Sequence, residues 1–131
     1  MTILEEYGEE LKQDVTLDAF TVQDVQLKLP AIKHKWVGRL MRHKQTVYTL
    51  EKKRKSYKFE LIDKIQEESH VKMSVAAVEK LIEQKNLMGD ITDYIKEQRL
   101  CIEYLEKVER ILSSMTFDIR NLTEIIKLET Q

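Results

Sequence analysis

Apolar residues recur at alternating steps of four and three along the last third of the chain, from Leu87 to Ile126, without a slip. This spacing repeats every seven residues and places its members on one face of an α-helix. It predicts a coiled-coil-like helix over 87–128 and an all-α, elongated protein. One member, Gln98, is polar, and the full heptad stripe consists of Leu87, Ile91, Tyr94, Gln98, Cys101, Leu105, Val108, Leu112, Met115, Ile119, Leu122 and Ile126.

The length of this helix indicates self-association. Some forty helical residues span about 60 Å, whereas a compact chain of this size has a radius of gyration of about 14 Å. We therefore expect copies of the chain, or another protein, to cover the stripe. The alternative is that Gly89 or the Ser113–Ser114 pair breaks the helix and the pieces fold back as a monomeric bundle. The predicted assembly surface comprises Leu105, Val108, Leu112, Met115, Ile119, Leu122 and Ile126.

The N-terminal region predicts one short helix and a connector. Residues 2–13 carry apolar positions at helical steps, with Thr2 and Glu5 spaced as a capping box. Apolar and polar residues then alternate within 14–30, and Pro30 disfavours helical geometry in the residue before it. We expect an extended connector there, with room for one brief strand.

A long second helix is predicted after the connector. The 131 residues contain only three Gly and one Pro, and Gly38 alone interrupts a run of good helix formers over 31–69. Its heptad pattern is imperfect because His43 and Arg54 occupy positions on the apolar face.

A shorter helix is predicted over 70–86, with Ser74 as its cap and Asn86 as its end. We divide the chain into an N-terminal region, 1–70, which comprises the first helix, the connector and the long second helix, and a C-terminal helical region, 71–131, in which we expect oligomerisation.

Charge is distributed unevenly along the sequence. The whole chain has a formal net charge of −1, but residues 33–64 carry 11 basic and 3 acidic side chains, a net of +8. Five of these bases surround the helix within two turns, so several must be exposed towards something anionic. They are Lys52, Lys53, Arg54, Lys55 and Lys58.

Nucleic-acid phosphates suit such a segment because their neutralisation releases counterions. Tyr48, Tyr57 and Phe59 offer aromatic faces for unstacked bases. An acidic protein partner and a merely solvated helix with its aromatics in the core are the alternatives; poor segregation of the charges argues against an anionic membrane. The candidate DNA-binding residues are Lys52, Lys53, Arg54, Lys55, Lys58, Arg42, Lys44 and Tyr57.

Enzyme and metal signatures are missing from the sequence. It contains no phosphate-binding loop and no nucleophile elbow, and its three histidines have no zinc-site spacing. The single Cys101 lies on the apolar stripe, where a buried thiol is expected. No membrane span or signal peptide is recognisable. We therefore expect a soluble, cytoplasmic, non-enzymatic protein without cofactor or metal.

The sequence resembles the UvsY-type recombination mediators of large tailed phages over nearly its whole length, most weakly over 66–97. The resemblance is carried by residues 9–14, Leu17-Asp18, Leu27-Lys28-Leu29-Pro30, Lys35-Trp36, the basic helix 50–64, Ile102-Glu103-Tyr104-Leu105 and 116–122.

This resemblance implies a helical phage protein, located in the cytoplasm of the infected bacterial host, that assembles as a six- or seven-membered ring and binds single-stranded DNA. It implies two protein partners, a UvsX-like recombinase and the phage single-strand-binding protein, and a role in loading the recombinase onto covered strands. The alternative hypothesis is a non-enzymatic coiled-coil adaptor or phage assembly protein whose basic helix binds an acidic protein partner.

One departure from the family pattern affects the expected DNA contacts. The family's basic motif aligns best with residues 57–61, where Lys58 is kept and Glu60 replaces an arginine. The resemblance therefore shifts the expected contacts towards Lys52, Lys53, Arg54 and Lys55.

Overall fold

The computed structural model describes residues 1–130, within which the chain forms four α-helices and no β-strand. This confirms the all-α fold expected from the heptad stripe and the scarcity of Gly and Pro. The helices are α1 (Ile3–Asp14), α2 (Val22–Glu68), α3 (Val75–Gln84) and α4 (Gly89–Thr130).

Helix α1 begins at the predicted capping box. The Glu5 backbone N–H donates to Thr2 Oγ1 at 3.2 Å, and the Thr2 N–H donates to Glu5 Oε2 at 3.3 Å. These two bonds satisfy backbone donors that the first turn of a helix leaves without partners. The helix predicted over 2–13 is therefore confirmed to within one residue at each end.

The largest correction concerns 14–30, which the sequence predicted to be an extended connector. Helix α2 already begins at Val22, and Pro30 lies inside it. Burial of one helical face outweighs the single backbone hydrogen bond that a proline cannot donate. Leu27, part of the misleading alternation, is 76% exposed. The residues that pack follow helical steps instead, and they are Val22, Val25, Leu29, Ile32 and Trp36.

The chain divides into two compact units. The first contains residues 1–42 and the described residues from 101 onward, and the second contains residues 43–100. The division differs from the boundary predicted at residue 70, because α2 and α4 each contribute one part to either unit.

Helices α1, α2 and α4 all contribute to the core of the first unit. Its buried members are Leu11, Leu29, Trp36, Leu40, Leu105, Val108, Leu112, Met115 and Ile119. Five of the seven residues assigned to the assembly surface belong to this core. The expectation that only copies or a partner could cover this part of the heptad stripe is therefore wrong. The other two, Leu122 and Ile126, are half-buried.

Helix α4 begins at Gly89 and runs unbroken through the Ser113–Ser114 pair. The part of the stripe from Cys101 to Ile119 is therefore buried within the chain although the helix is not broken at the serines, as the monomeric alternative had assumed. Self-association stays a prediction, and in this conformation it would use apolar side chains of α4 that remain exposed, such as Phe117, Ile125 and Leu128.

A network of charged groups joins α1 to α2 beside this core. Arg39 donates two hydrogen bonds to the Glu10 carboxylate, at 2.5 and 3.1 Å, and Lys35 Nζ lies 3.0 Å from the same carboxylate. Asp14 Oδ2 accepts from Lys35 Nζ at 2.6 Å and from the Trp36 indole N–H at 2.8 Å. Two cations of the basic segment are therefore neutralised inside the first unit.

This network predicts an acid-dependent loss of stability. The hydrogen bond from Arg39 lowers the pKa of Glu10 below 4.5 despite the opposing effect of burial. A lowered folded-state pKa stabilises the fold above the unfolded-state value, and that stability is lost as the pH falls through the folded-state value. Between about pH 5 and pH 3 we expect wild type to lose about 0.5 kcal/mol more unfolding free energy than Glu10→Gln, the carboxylate being partly exposed.

Urea denaturation at both pH values measures this difference. Lys35 does not titrate between pH 5 and pH 3. Burial lowers the pKa of Lys35, but its hydrogen bonds to Asp14 and Glu10 outweigh burial and raise that pKa above 10.5. The stability that Lys35 contributes is therefore lost only in strong alkali. An equal loss in wild type and variant would contradict the assignment.

The second unit packs α3 against parts of α2 and α4. One buried apolar cluster of this unit consists of Ile62, Val78, Ile82 and Met88. The heptad stripe shifts by one residue here, since Met88 and Ile95 are buried whereas Leu87 and Tyr94 are exposed. The turn before α4 places Asn86 at a positive φ of 51°.

Helix α3 is shorter than the predicted 70–86, because it begins only after the predicted Ser74 cap and ends at Gln84. Ser74 caps its start by accepting from the Ala77 N–H at 3.2 Å, and Asn86 ends the turn that follows Gln84. The Leu87 N–H donates to the Ile82 carbonyl at 3.2 Å, which closes the helix end.

Polar residues that interrupt the apolar patterns of α2 and α4 form hydrogen bonds between these helices in the second unit. The Nδ1 of buried His43 lies 2.6 Å from Gln98 Oε1. The Arg54 Nε–H donates to Thr92 Oγ1 at 3.1 Å. The interruptions that made the sequence patterns imperfect are therefore hydrogen-bonded partners that fix α2 against α4.

Candidate nucleic-acid interface

Seven of the eight predicted DNA-binding residues lie on α2 within the second unit, and Arg42 lies within the first. Residues 43–68 contain no Gly or Pro and are rich in Lys and Glu, which favour a continuous helix. A helix directs successive side chains around its circumference, so one tract of bases is distributed over several faces. Lys44, Lys52, Lys53, Lys55 and Tyr57 are exposed, whereas Arg54 and Lys58 are half-buried.

The two half-buried cations face the neighbouring helices. Arg54 is held by its hydrogen bond to Thr92 on α4. Lys58 Nζ lies 3.5 Å from Glu79 Oε1 on α3, with both side chains about two-fifths exposed. An ion pair that is this open to water is weak, so Lys58 remains available to a competing anion.

The outer face of α2 carries two aromatic side chains interleaved with two lysines. Tyr48, Lys52, Lys55 and Phe59 follow steps of four, three and four, which keep them on one face over about 16 Å. Tyr48 and Phe59 are each 59% exposed, and Lys52 Nζ lies 4.4 Å from the centroid of the Tyr48 ring. We call these four residues the aromatic–lysine stripe. It presents to solvent the two kinds of group that bind an unstacked strand.

From the sequence, Tyr48 and Phe59 were expected to offer faces for bases, but only the lysines of this stripe were among the candidate DNA-binding residues. Tyr57, the one aromatic residue in the predicted site, lies off the stripe and is 43% exposed. The signal that identifies Tyr48 and Phe59 is their helical spacing from Lys52 and Lys55, which was available in the sequence.

The bases of the outer surface remain without acidic partners. Within the described residues, no salt bridge joins Lys52, Lys53 or Lys55 to a carboxylate. Lys35 and Arg39, from the same basic segment, are by contrast tied to acids of α1. Part of the basic segment is therefore neutralised in the first unit, whereas Lys52, Lys53 and Lys55 of the second unit keep no carboxylate partner among the described residues.

Glu60, where the related motif has an arginine, is exposed. It lies seven residues after Lys53, hence on the same side of α2 as that lysine and away from the aromatic–lysine stripe. Its negative charge does not interrupt the stripe.

The sequence did not assign any residue of α4 to this surface. A groove of about 510 Å³ lies between α2 and α4 in the second unit. Lys96 and Arg99 line it from α4, in a C-terminal region whose net charge is negative and therefore gave no linear signal. The groove is lined by Glu51, Arg54, Lys55, Lys58, Thr92, Ile95, Lys96 and Arg99.

Other kinds of site are not evident in residues 1–130. No cluster of three or more His, Cys, Asp or Glu side chains is arranged to hold a metal ion. No helix has the length and apolar character that crossing a membrane requires. Cys101 is buried in the described structure, as its place on the heptad stripe predicts.

The fold and the exposed basic helix define an all-α protein of four helices with a cationic surface on its longest helix. No protein-family model and no curated protein matches the sequence. Among solved structures, the chain is similar to the recombination mediator protein UvsY of bacteriophage T4, with a TM-score of 0.82 and 16% sequence identity. The alignment covers 98% of this chain and 99% of that one.

The UvsY-type resemblance found in the sequence is thereby confirmed as a shared fold. The similarity includes the full helical order and is not restricted to one pair of helices, since nearly all of each chain is aligned.

Proposed function

We propose that this chain is a non-enzymatic recombination mediator that binds single-stranded DNA through the second unit's part of α2. Its role would be to promote loading of a UvsX-like recombinase onto strands covered by single-strand-binding protein. The observation that carries the proposal is the aromatic–lysine stripe, whose cations have no acidic partner in the described structure and whose aromatic residues are exposed. The fold shared with T4 UvsY supports it.

The stripe favours single-stranded DNA over an acidic protein partner. An acidic protein would need only the lysines, whereas the exposure of Tyr48 and Phe59 costs hydrophobic stabilisation that the fold does not recover. Bases of a single strand stack on such rings in a sequence-tolerant way, because every base has a π-face. The expected binding is therefore largely independent of sequence.

Self-association would make weak contacts effective. In the proposed ring of six or seven copies, each subunit adds one cationic surface, and the linked sites act together at high effective concentration. A mediator of this kind shifts the population of covered and recombinase-ready strands by differential affinity and needs no nucleotide hydrolysis.

A titration of the protein with a fluorescent single-stranded oligonucleotide at several salt concentrations tests the proposal. If about four phosphates are neutralised per subunit, the logarithm of the binding constant should fall with the logarithm of salt concentration with a slope of about −3 per bound subunit. Binding of an acidic polypeptide but not of the oligonucleotide would support the adaptor alternative and contradict our proposal.

The same titration with the variant Phe59→Ala separates the contribution of base stacking to DNA affinity from that of charge. Loss of one stacking platform should weaken binding by about 1 kcal/mol, roughly fivefold, at every salt concentration. The salt slope should not change, because no cation is removed. Phe20→Ala, which removes an exposed phenylalanine of the first unit outside α4, is the matched control.

A further inference from the structure

The groove between α2 and α4 in the second unit has a strong excess of positive charge. Five of its eight lining residues are basic, and Glu51 is its single acid. Glu51 forms an ion pair with Arg99, in which both side chains are about half exposed. Solvent-exposed pairs of this kind contribute little stability, so the pair can open when a stronger anion arrives.

The two walls of the groove repeat the same arrangement. Arg54 and Lys58 are one helical turn apart on α2, and Lys96 and Arg99 are one turn apart on α4. The cations on each wall are therefore about 5 Å apart along the helix axis. The groove has two uncharged lining residues, Thr92 and Ile95. Ile95 is apolar and buried, and the Thr92 hydroxyl accepts a hydrogen bond from Arg54. A volume of about 510 Å³ is in the range of sites that hold a small organic ligand.

A second cleft beside the groove limits where an anionic strand would run. It shares Arg54, Lys58 and Lys96 with the groove but is also lined by the carboxylates of Glu79, Glu83 and Asp93. Those acids would repel phosphates. The favourable path therefore leads away from α3, along the wall that carries Arg99.

Lys55 connects the groove to the outer surface of α2. It belongs to the aromatic–lysine stripe and also lines the groove. A strand whose bases stack on the stripe would meet the groove's cations directly beside it.

We infer that this groove binds the phosphodiester backbone of the strand, with Lys96 and Arg99 of α4 as further DNA-contacting residues. The inference rests on the proposed function, because it names contacts for the same ligand. Helix α4 then serves two purposes, packing the core of the first unit with one part and contacting phosphates with another.

The double variant Lys96→Ala/Arg99→Ala tests the inference by oligonucleotide titration. It should bind about tenfold more weakly than wild type, with a salt slope flatter by about 1.4, since two phosphate contacts are lost. Lys107→Ala/Arg110→Ala is the matched control: it removes one lysine and one arginine at the same spacing from exposed positions of α4 in the first unit. The control should change affinity less than twofold.

Glu51→Gln tests the groove in the opposite direction and removes no cation. It releases Arg99 from its ion pair, so DNA affinity should rise about threefold. Circular dichroism checks that each variant is folded. If wild type binds DNA and the Lys96/Arg99 variant equals its control while Glu51→Gln is silent, this inference is overturned and the proposed function stands. If wild type does not bind DNA at all, the proposed function itself fails.

Discussion

Replacing Lys52, Lys53 and Lys58 together by alanine should lower the affinity for single-stranded DNA about 30-fold near physiological salt. Each exposed cation contributes roughly 0.7 kcal/mol against a phosphate in water, and the three contributions together give about 2 kcal/mol. The salt slope should flatten by about 2, because three fewer counterions are released. Loss of Lys58 also leaves the Glu79 carboxylate without its cation, which adds to the repulsion.

Lys28→Ala/Lys107→Ala/Lys127→Ala is the matched control. These lysines are exposed, lie in the first unit and are each paired with an acid on their own helix. The control removes the same net charge, so it separates a local site from the field of the whole protein. The mass of the assembly in solution should be the same for wild type and both variants. Equal weakening by the two triple variants would contradict a DNA site on α2, as would unchanged affinity and slope in the first.

The same helix performs different tasks in the two units because of what lies opposite its bases. In the first unit, α1 supplies Glu10 and Asp14, and these acids hold Lys35 and Arg39 in a structural network. In the second unit, Lys52, Lys53 and Lys55 of α2 form no salt bridge with any acid of residues 1–130. The net charge of +8 carried by residues 33–64 therefore overstates the charge available to a ligand, because the fold determines which of these cations stay unpaired.

This distinction also explains what the sequence resemblance reflects. Its N-terminal residues, including Glu10, Asp14, Lys35 and Trp36, contact one another around the core of the first unit. They indicate the fold and do not contact the proposed DNA site. The shared fold with T4 UvsY agrees with that reading, because residues that hold α1 to α2 determine the helical arrangement.

Local signals predicted the helices well, since caps and heptad spacing are encoded by neighbouring residues. The capping box at Thr2, the Ser74 cap and the run of α4 all followed from such signals. The pattern failed before Pro30, where tertiary burial of Leu29 outweighed local preference.

Long-range pairings were not available from the sequence. Nothing in the linear pattern shows that His43 meets Gln98, or that Lys96 and Arg99 line the same groove as Arg54. The burial of the heptad stripe within its own chain could not be predicted from helix length either. It depends on α2, which extends to Val22 and packs along α4.

The largest effect on stability is expected from Trp36→Ala. The Trp36 side chain is 1% exposed, and its ring meets the Tyr7 ring edge to face with centroids 5.6 Å apart. The Arg39 guanidinium carbon lies 4.7 Å from the Trp36 ring centroid, and the indole N–H donates to Asp14. Truncation of a buried aromatic ring removes apolar burial and leaves a cavity, so unfolding free energy should fall by about 3–5 kcal/mol. Urea denaturation followed by the helical circular dichroism signal measures this loss.

Trp36→Phe separates packing from the polar contact. It keeps an aromatic ring in the core but removes the donor to Asp14, whose carboxylate still accepts from Lys35 at 2.6 Å. The expected loss is about 1.5 kcal/mol, the usual cost for a hydrogen bond to a charged group. The free energy of unfolding should therefore be highest for wild type, lower for Trp36→Phe and lowest for Trp36→Ala. A loss below about 1 kcal/mol for Trp36→Ala would mean that this ring does not hold α1, α2 and α4 together, and that the first unit has a different core.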